Sequence, residues 1–193
     1  MKVVTCEEVE NELNANDVKK VAVLGAGLMG SGIAQVCAQS GINVVMRDIK
    51  DEFIEKGLKG IKDSLEKGVV KGKLKREDAD AAISKIETTT DLAKAVGEAD
   101  LIIEAIPEEM KLKKEVYKEL TKNAREQAII ASNTSTLSIT EMATAVKHPE
   151  NFIGLHFFDP APIMQLLEIV KGKKTSDETV QFAKDLADRL GKT

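Results

Sequence analysis

Aromatic side chains are scarce in this sequence: there is no tryptophan, one tyrosine and five phenylalanines among 193 residues. A core made from this chain must rest on Val, Ile, Leu, Ala and Met. Cysteine is scarce too. Cys6 and Cys37 stand apart, without a Cys-x-x-Cys pair or a histidine spacing suited to zinc. That excludes a disulfide framework and reads as two ordinary thiols in a reducing compartment. No apolar run reaches transmembrane length, and the opening MKVVTCEEVENELNAND is too polar for a signal peptide and too acidic for a transit peptide. The net charge of −4 offers no excess of positive charge for nucleic acid or an anionic membrane. The expectation is a cytoplasmic protein with neither as a partner.

What is present is periodic. From residue 18 onward, short apolar runs alternate with amphipathic stretches and no internal repeat. Runs 21–24, 42–46, 101–106 and 128–131 are apolar throughout, as strands buried on both faces should be, and 152–155 and 166–170 are shorter candidates. Helices are expected over 28–40, 50–67, 77–85, 108–126 and 176–190, with Gly41 as the C-terminal cap of the first. Strands alternating with helices imply an α/β fold with a doubly wound, mostly parallel sheet. The helical pair between 50 and 85 interrupts that rhythm as an insertion and is expected to project from the sheet.

The segment Val21-Ala22-Val23-Leu24-Gly25-Ala26-Gly27-Leu28-Met29-Gly30 places Gly-x-Gly-x-x-Gly directly after a strand and at the start of a helix. In such a Rossmann-like unit Gly25 permits the tight turn, Gly27 lets the backbone approach a pyrophosphate, and Gly30 allows close helix–strand packing. Amides of Leu28 and Met29 would then face the phosphates from the helix N-terminus. Asp48 ends the second strand 18 residues after Gly30. An acidic residue there hydrogen-bonds ribose hydroxyls and repels a 2′-phosphate, which favours NAD over NADP, although Arg47 beside it pulls the other way. A purely structural strand–turn–helix and an FAD site are the alternatives.

Only two histidines exist. His148, in Val-Lys-His-Pro-Glu, has a turn-like polar context and reads as a surface residue. His156 follows an apolar strand and precedes Phe157-Phe158, which puts it at a strand end. Imidazole titrates near neutrality, so it suits removal of a hydroxyl proton as hydride leaves the same carbon. Glu168 interrupts the apolar run Leu166-Leu167-Glu168-Ile169-Val170. A carboxylate in such a run needs a partner, and pairing with His156 would fix the ring tautomer and stabilise the imidazolium. A structural histidine is the plain alternative.

Three separated strings, GAGLMGSGIAQ, SNTSTLSIT and GLHFFDPAPIM, resemble the N-terminal domain of the 3-hydroxyacyl-CoA dehydrogenases, in order and at fitting distances. The resemblance runs from about residue 18 to the end. It implies that residues 18–193 are an NAD-binding domain preceded by an extension over 1–17. It also implies a C-terminal helical domain absent from this chain, whose ending at Gly191-Lys192-Thr193 follows a helix without a final strand. It further implies that His156 is the base, Glu168 its orienting partner, and Ser135 a contact to substrate and nicotinamide. Glu108, Lys113 and Asp159 match cofactor-contacting positions. Plain alternatives exist here too: Ser135 could cap the following helix, and Glu108 could occupy a helix first turn.

Asp159 departs from the family's usual asparagine. Asparagine donates a hydrogen bond; ionised aspartate only accepts, which puts substrate identity and rate in doubt more than reaction type. From Lys56 to Arg76, eight basic residues (Lys56, Lys59, Lys62, Lys67, Lys71, Lys73, Lys75 and Arg76) face only Asp63 and Glu66. Such a patch suits the phosphates of coenzyme A, and the resemblance points to Ser64 and Lys71 for that contact. The function implied is NAD-dependent oxidation of an (S)-3-hydroxyacyl-CoA to the 3-oxo thioester, in fatty acid metabolism, by a homodimer in the full-length protein. A dehydrogenase of another small hydroxy acid and a non-catalytic NAD-binding module are the rivals.

Overall fold

The structure is a computed structural model and describes residues 14–193. Cys6 and most of the 1–17 extension lie outside the described residues. The strands are β1 (Lys20–Leu24), β2 (Asn43–Arg47), β3 (Ile86–Thr89), β4 (Leu101–Glu104), β5 (Ile129–Ser132), β6 (Phe152–Phe157) and β7 (Leu167–Val170). They form one sheet in the order β3-β2-β1-β4-β5-β6-β7. All neighbouring pairs are parallel except β6 and β7, which run antiparallel. The chain order reverses between β1 and β4, the switch point at which open α/β sheets leave a crevice beyond the carboxyl ends of their strands.

Both faces of the sheet are covered, which is why the central strands read as unbroken apolar runs. Val21 and Val23 of β1 belong to one core, with Ile33, Ala34 and Cys37 of α1 (Leu28–Gln39) and Phe182, Ala183 and Leu186 of α7 (Asp177–Arg189). Ala22 and Leu24 point the other way, into a second core with Tyr117 and Leu120 of α5 (Met110–Leu120) and Phe152. Tyr117 and Phe152 meet edge to face at 5.1 Å, a contact worth about 0.5–1.5 kcal/mol beyond its buried area. Gly41 ends α1 with φ +82°, its amide donating to the Ala38 carbonyl.

The inserted pair is α2 (Asp51–Val70) and α3 (Arg76–Ser84). It does not stand clear of the sheet as expected. Ile54, Ile61 and Leu65 of α2 and Ala79 and Ala82 of α3 join the core under α1, because these small and aliphatic residues recur at helical spacing on one face. The turn 71–75 and the lysine-rich faces are what reach solvent. Strand β3 and the short helices α4 (Leu92–Val96) and α6 (Ile139–Met142) went unanticipated. The helix expected over 108–126 is shorter: Glu109 is the N-cap of α5, which leaves Glu108 in the preceding loop.

A turn at Ala15–Asp17 packs on α7, where Arg189 donates to the Ala15 and Val18 carbonyls at 2.6 and 3.0 Å. No helix among the described residues is long and apolar enough to cross a membrane.

Candidate functional site

The glycine loop leads from β1 into α1. Gly25 has φ +109°, and a Cβ there would lie 2.5 Å from the Ala105 carbonyl oxygen, so glycine is required both for conformation and for space. A Cβ on Gly30 would lie 1.9 Å from the Gly25 oxygen; the helix and the turn meet only because it is absent. Gly27 differs. A Cβ there meets nothing within 4 Å, and Gly27 is the N-cap of α1 with no side-chain hydrogen bond capping the helix. Open space over a glycine, beside the free amides of a twelve-residue helix, is a cradle for an anion. A dinucleotide pyrophosphate fits it, with Leu28 and Met29 in the first turn.

Asp48 stands at the end of β2 and braces that loop. Its Oδ2 accepts from the Ala26 amide at 2.7 Å, and its Oδ1 from the Ile49 amide at 2.7 Å. Each oxygen keeps a lone pair for a ribose hydroxyl. Arg47 is turned aside, its Nε donating to the Thr90 carbonyl at 3.2 Å. Gly57 of α2 presses on the same loop, since a Cβ there would lie 2.5 Å from the Ala26 oxygen. Nothing in the sequence pattern singled out Gly57.

At the same end of the sheet, His156 and Glu168 are direct partners in the β6–β7 register. His156 Nδ1 lies 2.8 Å from Glu168 Oε2. The ring is 17% exposed and packs on Phe158, centroids 4.4 Å apart. Glu168 is 52% exposed, because β7 is the sheet's edge. The pair forms as the apolar run predicts, but its carboxylate is more exposed than such a run implies. The Phe157 amide donates to Asn133 Oδ1 at 2.8 Å, and the Asn133 amide to the Glu104 carbonyl at 2.8 Å, so three strand ends are tied together around the histidine.

Behind Ser135 lies a buried charge cluster that sequence reasoning missed. Glu104, fully buried, accepts from Lys113 Nζ at 2.7 Å, Ile106 N at 2.8 Å, Ser132 Oγ at 2.8 Å and Tyr117 Oη at 2.5 Å. Burial first, then the Glu104 charge, pushes the Tyr117 hydroxyl well above its usual range, so it stays a donor. Lys113 is 1% exposed and also meets Glu108 Oε2 at 3.1 Å. Burial alone would raise Glu108, but hydrogen bonds from Thr134 and Lys113 outweigh it and hold its carboxyl below the usual range. The signal was available: Glu104 interrupts an apolar run as Glu168 does.

Ser135 is exposed in the turn after β5 and does not cap α6; Ser138 does. Asp159 is exposed in the loop after β6. Lys192 fixes that loop, donating from a buried site to the Ala161 and Met164 carbonyls at 2.6 and 2.8 Å. Ser64 lies on α2 and Lys71 is the C-cap of α2. Two of the eight basic residues nearby are engaged, Lys59 with Asp63 and Arg76 with both oxygens of Glu66. A groove of about 810 Å³, lined in part by Ile129, His148 and Phe182, opens at the amino ends of β5 and β6, opposite the glycine loop. His148, partly exposed as expected, sits there between Glu126 and Glu150.

The fold and glycine loop define a nucleotide-binding dehydrogenase-type domain. The family profile described as "3-hydroxyacyl-CoA dehydrogenase, NAD binding domain" matches residues 20–193. A probable 3-hydroxybutyryl-CoA dehydrogenase of Deinococcus radiodurans is 45% identical over 174 residues, 90% of this chain and 62% of the relative. The mitochondrial hydroxyacyl-coenzyme A dehydrogenase of Sus scrofa is 45% identical over 181 residues, 91% of this chain and 57% of the relative. The crystal structure of (S)-3-hydroxybutyryl-CoA dehydrogenase from Ralstonia eutropha superposes with a TM-score of 0.88 at 40% identity, covering 91% of this chain and 62% of that one. The chain belongs to the 3-hydroxyacyl-CoA dehydrogenase family and carries its NAD-binding domain. It spans 62% or less of the length of these relatives.

Proposed function

We propose that this domain, within a longer protein, oxidises the hydroxyl of an (S)-3-hydroxyacyl-CoA to the 3-oxo thioester. The observation that carries the reading is the His156–Glu168 pair, 2.8 Å apart at the carboxyl end of the sheet that also bears the glycine loop. Gly25, Gly27, Gly30, Leu28, Met29 and Asp48 would hold the dinucleotide. When bound, NAD supplies the acceptor for the substrate's hydride.

The chain's own groups handle the proton. With Nδ1–H donated to Glu168, His156 Nε2 is left with a lone pair to take the substrate hydroxyl proton. Glu168 fixes that tautomer and offsets the charge the ring acquires. Ser135 would contact substrate and nicotinamide. Asp159 is acceptor-only when ionised and weakens any contact to a thioester oxygen that an asparagine would donate to. Ser64 and Lys71 would meet the phosphates of coenzyme A.

Family resemblance supports the wider reading: residues 18–193 as the NAD-binding domain, a helical domain and homodimerisation in the longer protein, and a cytoplasmic place in fatty acid metabolism. The test is NADH consumption with acetoacetyl-CoA against acetoacetate at high enzyme concentration. Consumption that needs the thioester supports the reading. Equal rates with both point to another hydroxy-acid dehydrogenase, and NADH binding without turnover points to a cofactor module only.

A further inference from the structure

We propose that Lys192 is a positioning residue for the dinucleotide site: it clamps the connection between His156 and Glu168 onto α1 and so sets Asp159 beside the cofactor. The inference rests on the reading of Asp159 as a cofactor contact.

The clamp starts from a rigid anchor. At the end of α7 the Gly191 amide donates to the Asp188 carbonyl at 3.0 Å, and the Lys192 amide to the Ala187 carbonyl at 2.8 Å. That paired closing of the helix fixes the backbone of Lys192. Thr193 beside it donates to the Gln165 carbonyl at 2.8 Å and accepts from the Leu167 amide at 3.0 Å, at the start of β7. From this anchor the Lys192 side chain is only 8% exposed, and its ammonium donates to the Ala161 and Met164 carbonyls.

The loop needs that donor. Pro160 and Pro162 bring no N–H groups to it, and the Ile163 and Met164 amides both turn back to the Pro160 carbonyl. Among the described residues no backbone amide reaches the Ala161 or Met164 carbonyl. On its other side the loop rests on α1, the helix that the glycine loop opens. A Cβ on Gly32 of that helix would lie 3.1 Å from Ala161 Cβ and 3.5 Å from Pro162 Cδ. Ala161 is thus held from both sides, and Asp159 stands just before it in the same loop.

The cost of the clamp argues for a role beyond packing. Among the described residues the ammonium has no carboxylate partner, and burial lowers its pKa from the ordinary lysine value. The negative end of the α7 dipole offsets part of that charge. A methionine of similar length would avoid burying an ammonium. It would also leave two carbonyls unpaired and the loop without its hold on α1.

The experiment compares the parent chain with Lys192→Met, Lys192→Gln, Asp159→Ala and the Lys192→Met/Asp159→Ala double variant. It reads the Ile163 and Met164 amide resonances by NMR and NADH affinity by fluorescence titration. Lys192→Met should shift both resonances and weaken NADH binding about fivefold or more, the worth of one hydrogen bond. In the Asp159→Ala background the same change should cost less than about twofold, because residues acting through one another are not additive. Lys192→Gln keeps a donor without a charge to bury. It should fold even where Lys192→Met does not, with smaller shifts of the same resonances and an affinity between the two. Resonances that stay in place, or an affinity loss equal in both backgrounds, would overturn the proposal; the equal loss marks a merely structural lysine. Unchanged NADH binding in Asp159→Ala alone would instead remove Asp159 from the cofactor site, and with it the reading on which this inference rests.

Discussion

His156 and Glu168 face each other across an antiparallel strand pair, ring nitrogen to carboxylate at 2.8 Å, although 12 residues of chain separate them. Replacing Glu168 by glutamine keeps the shape and removes the charge. A hydrogen bond to a charged group is worth about 1.5–3 kcal/mol, so turnover should fall roughly 10- to 150-fold. NADH affinity should stay unchanged, since Asp48 and the glycine loop are untouched. Steady-state kinetics beside an NADH titration separates the two.

The Gly27 position distinguishes fold from cofactor. Alanine meets nothing within 4 Å and the backbone φ of −70° suits it, so Gly27→Ala should cost no more than about 1 kcal/mol in urea unfolding. Its methyl group occupies the cradle, and NADH affinity should drop about tenfold or more, or at least 1.4 kcal/mol. Equal affinity in the variant would remove Gly27 from the cofactor site.

Lys113→Met should be among the most damaging single changes in the chain. It leaves Glu104 charged, fully buried and short of its cation, at an expected cost of about 3–5 kcal/mol. Adding Glu104→Gln should restore a good part of that loss. Urea denaturation of the single and double variants checks it, with the slope showing whether unfolding stays cooperative.

His148 should make stability depend on pH. Hydrogen bonds donated first to Glu126 and then to Glu150 raise its pKa above the usual 6.5. A raised folded pKa favours the protonated native state, so this contribution is fully present below about pH 6.5 and fades as pH rises through the folded value. The ring is 35% exposed, so solvent screening keeps the effect within about 1 kcal/mol. Melting temperatures between pH 5 and 9 should lose that slope in His148→Gln (about a degree or few per kcal/mol is ample to resolve it).

Much of this architecture is written in short-range patterns. Strands buried on both faces leave apolar runs, and the glycine loop leaves a fixed spacing because close backbone approaches exclude a side chain at Gly25 and Gly30 while Gly27 keeps the space over the helix N-terminus open. β3 left no such trace: Ile86-Glu87-Thr88-Thr89 is a half-exposed edge strand, and polar edge strands carry little periodic signal. The lysine-rich pair was legible as helices but not as packed ones, since Gly57 says nothing of the glycine loop it presses on, nor Ala79 of the core it joins, until the chain is folded. The His156–Glu168 pair was legible because an isolated carboxylate in an apolar run demands a partner. Glu104 made the same demand, and its answer, Lys113 and Tyr117 of α5 with Ser132 of β5, is assembled from two other elements that no pattern local to Glu104 reveals.

The most direct test of the central claim compares this chain with His156→Gln in NADH-dependent reduction of acetoacetyl-CoA, with NADH affinity measured on both. The account predicts equal affinity and a turnover about 10²- to 10⁴-fold lower in the variant, the usual contribution of a positioned acid–base group. Turnover that survives unchanged without His156 would contradict it.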